Sequence, residues 1–75
     1  MAEMNAEKLN ELGDKIRKLL AESGIQVEKF NLNVLVSNEY YEAIKHNFPN
    51  RPPIDMIIGH SGDDWAIQVS YSLHT

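Results

Sequence analysis

Residues 54–73, IDMIIGHSGDDWAIQVSYSL, carry the pattern that decides the fold. Apolar side chains alternate along the runs on either side of a polar segment, His60 to Asp64, and a period of two is typical of half-buried strands. Serine, glycine and aspartate are residues that tight turns select. The stretch therefore predicts an antiparallel hairpin.

The alternation fixes which side chains share a face of this hairpin, but it leaves the register open. If the numbers of opposed residues sum to 125, the loop runs from Ser61 to Asp64. A sum of 123, with a two-residue loop at Ser61 and Gly62, also opposes apolar residues. The first register pairs Ile58 with Ile67, Met56 with Val69 and Ile54 with Tyr71.

Upstream of the hairpin, a third strand is predicted by the same period of two. Its apolar positions are Phe30, Leu32, Val34 and Val36, and asparagines lie between the first three of them. Ile25 and Val27 have the opposite parity to this set. We expect one long, bent strand with a bulge near residues 28–29.

A helix from about Glu3 to Ser23 is predicted by apolar residues spaced three and four apart. Gly24 follows it and can take the left-handed conformation that ends helices. Gly13 lies in mid-helix, where glycine costs about 1 kcal/mol relative to alanine, so we expect another group to approach the backbone there. The apolar stripe consists of Leu9, Leu12, Ile16, Leu19 and Leu20.

A shorter second helix is predicted after the first strand. Ser37 or Asn38 can cap it, and Tyr41, Ile44 and Phe48 follow helical spacing. Residues 49–53, PNRPP, cannot continue a helix and predict a stiff connector.

The predicted element order is α-β-α-β-β. Each strand has one apolar face, which favours an α+β fold with two layers: a three-stranded sheet with both helices on one face. We expect a single domain over residues 1–75, with the strand order left open. The other face should be polar, with Asn31, Asn33, Gln68, Ser70, Ser72 and His74.

Composition excludes several classes of protein. A hydrophobic fraction of 43% with 24% charged residues is unlike that of disordered chains. The chain has no cysteine for disulfides, no apolar run that could span a bilayer and no basic leader, so we expect a cytoplasmic protein. The net charge of −4 disfavours phosphate backbones and anionic lipid. Oligomerisation remains as a way to support so small a core.

The polar turn could be taken for a catalytic or metal site, because it contains a serine, a histidine and two aspartates. Neighbouring turn residues rarely form a nucleophile–base relay, and the three histidines lack the spacing of common ligand sets. We therefore expect no enzyme, no cofactor and no metal. The histidines are His46, His60 and His74.

Two alternative functions stay open. A nucleic-acid-associated accessory protein would need a basic stripe, and the only local cluster of cations is Lys15, Arg17 and Lys18. A small-molecule or metal-binding protein would use the turn from His60 to Asp64.

By elimination, the sequence favours a small non-enzymatic module that binds a larger protein stoichiometrically. By analogy of size alone, and not of any motif, a short acidic chain of this kind could also be an inhibitor or regulator of phage or mobile-element type. A homodimer through the stripe of the first helix is a further expectation, because that helix is longer than the strands. The candidate binding residues are Tyr40, His60, Asp63, Asp64 and Trp65.

Overall fold

Two helices and a three-stranded antiparallel sheet make up residues 3–73, which the computed structural model describes. The order α-β-α-β-β and the α+β class are confirmed. The elements are α1 (Ala6–Ser23), β1 (Lys29–Ser37), α2 (Asn38–Ile44), a 3-10 turn (Lys45–Asn47), β2 (Met56–Ser61) and β3 (Asp64–Ser72).

The sheet has the strand order β1-β3-β2, so the C-terminal strand is central. β2 and β3 pair in the register that sums to 125, with Met56 opposite Val69. Ser61 and Asp64 are themselves paired, so the turn is shorter than the predicted loop. Its two central residues are Gly62 and Asp63, and Gly62 has φ +65. A positive φ at the first central position alone is the pattern of a type II′ hairpin turn.

One face of the sheet, the inner face, carries both helices. The core cluster joins α1 through Leu9 and α2 through Ile44, and Phe48 follows the 3-10 turn into the same cluster. The sheet contributes Met56, Ile67, Val69 and Tyr71. The opposite, outer face is largely polar as predicted, although Leu35 and Ile57 are exposed there.

α1 begins three residues later than predicted. Asn5 has an extended backbone, and its Oδ1 accepts a hydrogen bond from the Lys8 N–H at 2.8 Å, so this side chain caps the helix. The predicted end is confirmed, because Gly24 has φ 77. Of the predicted stripe, only Leu9 is buried, whereas Leu12 and Leu19 are 44% and 64% exposed.

The predicted close approach at Gly13 is made by the ring of Tyr71. A methyl group at position 13 would lie 2.6 Å from Tyr71 Cε1 and 2.8 Å from Cε2. The Tyr71 hydroxyl passes beside the helix and donates a hydrogen bond to the Leu9 carbonyl at 3.0 Å. α1 is thus held against β3 at the one position where it has no side chain.

Two predictions about strand ends were wrong. Ile25 and Val27 lie before β1 rather than in a bulged extension, because the chain turns out of the left-handed Gly24 and joins the sheet only at Lys29. Ile54 does not pair with Tyr71. The Met56 N–H donates to the Pro53 carbonyl at 2.9 Å, and this turn leaves Ile54 fully exposed.

The start of α2 is as predicted. The Ser37 Oγ accepts a hydrogen bond from the Tyr40 N–H at 3.1 Å and caps the helix. The 3-10 turn then brings Phe48 into the core before Pro49. Within residues 3–73, neither helix is long and apolar enough to cross a membrane.

Candidate functional site

The candidate site lies at the tip of the β2–β3 hairpin, and the register builds it. Trp65, at the start of β3, is opposite His60 of β2 on one side and Val36 of β1 on the other. Opposed residues share a face of the sheet, so all three side chains belong to the inner face. α2 begins directly after β1, which places its first turn above this row.

Trp65 is fixed by three side chains. The Tyr41 ring stacks against it with centroids 4.0 Å apart and planes 10° from parallel. The His60 ring lies 3.8 Å away at 40°. The indole N–H donates to Asn38 Oδ1 at 2.9 Å, so the polar edge of the ring is satisfied as well. We call these four residues the tip stack.

Trp65 is only half-buried in spite of these contacts. Its parity in β3 is that of the core residues Ile67 and Val69, which favours a core position. However, Trp65 is the last inward-facing residue before the turn, so it has no further row of side chains beyond it. The indole therefore combines a fixed orientation with exposed apolar surface.

The border of the tip stack is acidic. Asp63 lies in the turn, Asp64 starts β3, and both are exposed. Ser37 is paired with Asp64, so the first turn of α2, which contains Glu39, begins beside the hairpin. The hairpin tip thus presents a half-buried indole on the inner face, with Asp63 in the adjacent turn and Asp64 on the outer face.

Tyr40 lies apart from the tip stack. Successive helical side chains point about 100° apart, and Tyr41 takes the direction of Trp65. The Tyr40 hydroxyl instead accepts a hydrogen bond from the Met4 N–H at 3.3 Å, near the start of α1. The side chain is 41% exposed. Four of the five candidate binding residues lie at the hairpin tip: His60 and Trp65 meet on the inner face, Asp63 lies in the turn, and Asp64 points to the outer face. Tyr40 lies apart from them.

The hydrolase-like composition of the turn does not form a relay. His60 points to the inner face, where its ring meets Trp65, whereas Ser61 and Asp64 form the next pair and point to the outer face. The base and the nearest hydroxyl are therefore on opposite sides of the sheet.

The described histidines have different neighbours. His46 Nε2 lies 3.7 Å from Glu3 Oε2 at the surface, while His60 packs on Trp65. His74 is outside the described residues. Among residues 3–73, no three histidine or acidic side chains are placed to hold a metal ion together.

The cations near the sheet are engaged with other groups. Arg17 pairs with Asp14 at 2.5 Å, and its Nε donates to the Ser72 carbonyl at 3.0 Å. On α2, the hydrogen bond and the charge of Glu42 raise the pKa of Lys45 above its usual value. Arg17 and Lys45 are therefore each paired with a carboxylate three residues earlier in the chain.

Sequence reasoning missed Asn38 and Tyr41 as members of the site. The sequence pattern indicates Asn38 only as a possible helix cap and Tyr41 only as part of the apolar spacing of the second helix. The signal for the stack was present, since the register summing to 125 already places residue 60 opposite residue 65. The places of Asn38 and Tyr41 in the tip stack could not be predicted in the same way, because they depend on where α2 lies over the sheet.

No protein-family model matches this chain, and no significant match was found among curated proteins or among solved structures.

Proposed function

We propose that this chain is a non-enzymatic protein-interaction module that binds one larger protein stoichiometrically through the hairpin tip. The observation that carries the proposal is the half-exposed Trp65, held by Tyr41, His60 and Asn38. Tryptophan is enriched among residues that dominate binding energy at protein interfaces. A fixed ring also loses little conformational entropy when it is bound.

The charge around the tip indicates the kind of partner. Asp63 and Asp64 are exposed and directly precede Trp65 in the chain, and Asp64 points to the outer face. A complementary surface would have an apolar pocket for the indole, with lysine or arginine side chains around it. The carboxylates would then act mainly on the association rate and on partner choice, and the indole on the lifetime of the complex.

A test can use charge reversal at the border, which leaves the stack in place. The tagged wild-type chain and the double variant Asp63→Lys, Asp64→Lys would be used as baits in lysate of the source cells, with and without nuclease. We expect the wild type to retain one protein in near-stoichiometric amount in both conditions. The double variant should lose most of it, since two attractions become two repulsions.

The matched control reverses two carboxylates far from the tip, Glu7→Lys with Glu11→Lys, both on exposed positions of α1. This control should retain the partner as the wild type does. Equal loss in both double variants would mean that only net charge matters. Recovery that disappears with nuclease would favour the nucleic-acid-associated alternative instead. Far-ultraviolet circular dichroism of each bait would verify that it is folded.

A further inference from the structure

Among residues 3–73, the edge of β1 that faces away from β3 is paired with no other strand. β1 is at the border of the sheet, and within residues 3–73 its only strand partner is β3. The Leu73 N–H donates to the Glu28 carbonyl at 2.9 Å, which continues the β1–β3 ladder by one pair. Because bonded and non-bonded pairs alternate in antiparallel ladders, the even-numbered residues of β1 exchange bonds with β3. The backbone groups of Lys29, Asn31, Asn33 and Leu35 therefore point to the free edge.

The inner face is also incompletely covered along this strand. Three of the four inward residues of β3, Ile67, Val69 and Tyr71, are buried, and Trp65 at the hairpin tip is half-buried. The four inward residues of β1 are all half-buried. They are Phe30, Leu32, Val34 and Val36.

α1 also carries exposed leucines. The flank of α1 with Asp14 and Arg17 shares a cleft with Lys29 of β1 and with Asp55, which precedes β2. Leu12 and Leu19 are exposed on the other flank of the helix, about 140° or more from Arg17. A half-covered apolar strip with a free backbone edge beside it therefore runs along one side of the molecule.

The edge has few of the features that normally prevent strand pairing. Protected edges are short or carry proline, bulges or several charges. The nine residues of β1 contain no proline, their register with β3 is unbroken, and Lys29 is their one charged residue. The opposite edge, β2, has six residues and follows Pro52 and Pro53.

We infer that the partner of this edge is a second copy of the chain, paired antiparallel through β1 about a two-fold axis at Asn33. In this register, each inward apolar residue opposes another one: Phe30 faces Val36 of the second copy, and Leu32 faces Val34. The two Lys29 side chains lie about 27 Å apart at opposite ends, beyond the range of strong repulsion in physiological salt. The product is a continuous six-stranded sheet with all four helices on one face.

The size of the contact supports a dimer of modest affinity. A nine-residue strand is about 30 Å long, and a sheet with one helical layer is roughly 15–20 Å deep. This gives on the order of 500 Å² per protomer, or about 1,000 Å² in total, which is near the lower limit of stable interfaces. We therefore expect dissociation in the micromolar range. The inference does not rest on the proposed function, because the tip stack is not part of the paired strand.

Charge substitution at the two-fold axis tests the pairing. Asn33 is exposed on the outer face, so a charged side chain there leaves the core unchanged. In Asn33→Lys and in Asn33→Glu, two like charges would face each other across the axis, and each variant should raise the dimer dissociation constant at least about tenfold. An equimolar mixture of the two variants should regain dimers. The measurement is sedimentation equilibrium from about 1 to about 500 µM.

Ile57→Lys is the matched control, since Ile57 is an exposed outer-face residue on the opposite edge strand. It should dimerise as the wild type does. The amide protons of Asn31, Asn33 and Leu35 should also exchange more slowly as protein concentration rises. A wild type that is monomeric over the whole range, or equal effects of Asn33→Lys and Ile57→Lys, would overturn the inference. So would a dimer that is lost in Leu19→Lys but kept in Asn33→Lys, because α1 alone would then form the contact.

Discussion

At the scale of single residues, Gly13 and Tyr71 show how one side chain determines the position of a helix. The Tyr71 ring occupies the space that a Cβ at position 13 would need. Tyr71 also stacks on Phe30 with ring centroids 5.2 Å apart and donates its hydroxyl to the Leu9 carbonyl. The sequence predicted a close approach at Gly13 from its unfavourable helix propensity. It could not name the partner, because Tyr71 is 58 residues away in the chain and meets Gly13 only through the tertiary fold.

Gly13→Ala should therefore destabilise the protein, although alanine is the better helix former. The gain in helix propensity is about 1 kcal/mol, whereas overpacking against a buried ring costs about 1–3 kcal/mol and displaces α1 from β3. Urea unfolding would measure the difference. Gly59→Ala is the matched control, since no atom lies within 4 Å of its added methyl group, and it should be neutral or slightly stabilising. A stabilised Gly13→Ala would contradict the packing described here.

Tyr71 should also make stability depend on alkaline pH. Burial raises the pKa of Tyr71 above its usual value of 10.0; the charge of Arg17 lowers it by less, and the charges of Asp14 and Asp55 add to the increase. The neutral phenol is thus favoured in the folded protein. The stability it contributes is complete below about pH 10 and is lost as the pH rises through the higher, folded-state pKa.

The comparison with Tyr71→Phe isolates this contribution. At pH 8 the variant should be less stable by about 1 kcal/mol, because the hydrogen bond to the Leu9 carbonyl is missing. Above about pH 10 the difference should shrink, since phenylalanine does not titrate. Urea unfolding at intervals from pH 8 upward would show it. A constant difference at all pH values would mean that Tyr71 ionises as readily in the folded protein as in the unfolded chain.

At the scale of elements, the hydrophobic pattern predicted which residues share a face of a strand more accurately than it predicted where each strand begins. The period of two placed Phe30, Leu32, Val34 and Val36 on one face, and the hairpin register was one of the two predicted. Ile54 follows the same period but lies in a turn, because the hydrogen bond from Met56 to Pro53 starts the strand two residues later. The α1 stripe is regular in sequence, yet the sheet covers only part of it. Periodicity records which residues share a face, while burial depends on what lies opposite that face.

The end of α1 gives a test of one such boundary. Gly24 has φ 77 and ψ 4, and no other atom lies within 4 Å of a Cβ added there. Gly24→Ala should therefore be destabilised by about 1–2 kcal/mol through backbone conformation alone. Gly24→Asn should lose less stability, because asparagine tolerates the left-handed region better than alanine does. Equal losses in the two variants, measured by urea unfolding, would contradict a purely conformational role.

At the scale of the whole molecule, the two proposed surfaces differ in origin. The hairpin tip is a candidate surface because the turn leaves Trp65 at the border of the core. The β1 edge follows from helices that leave one strand of the inner face half-covered. The composition suggested an associating protein, because the chain is small and has no cysteine. The sequence could not indicate β1 as the interface, since the strand order that puts β1 at the edge is set by tertiary packing.

Association through β1 should make thermal stability depend on protein concentration. Among residues 3–73 the core cluster has seven buried residues, so the monomer has little apolar burial in reserve. Dimerisation is linked to folding, and each 1 kcal/mol gained moves the Tm by about 4–8 °C in a domain of this size. Between about 5 and about 500 µM the Tm of the wild type should rise by several degrees, whereas the Tm of Asn33→Lys should hardly change. Ile57→Lys, with the same charge on the opposite edge, should follow the wild type. A Tm that is equally insensitive to concentration in all three proteins would mean that the folded chain is stable as a monomer and that its β1 edge stays free.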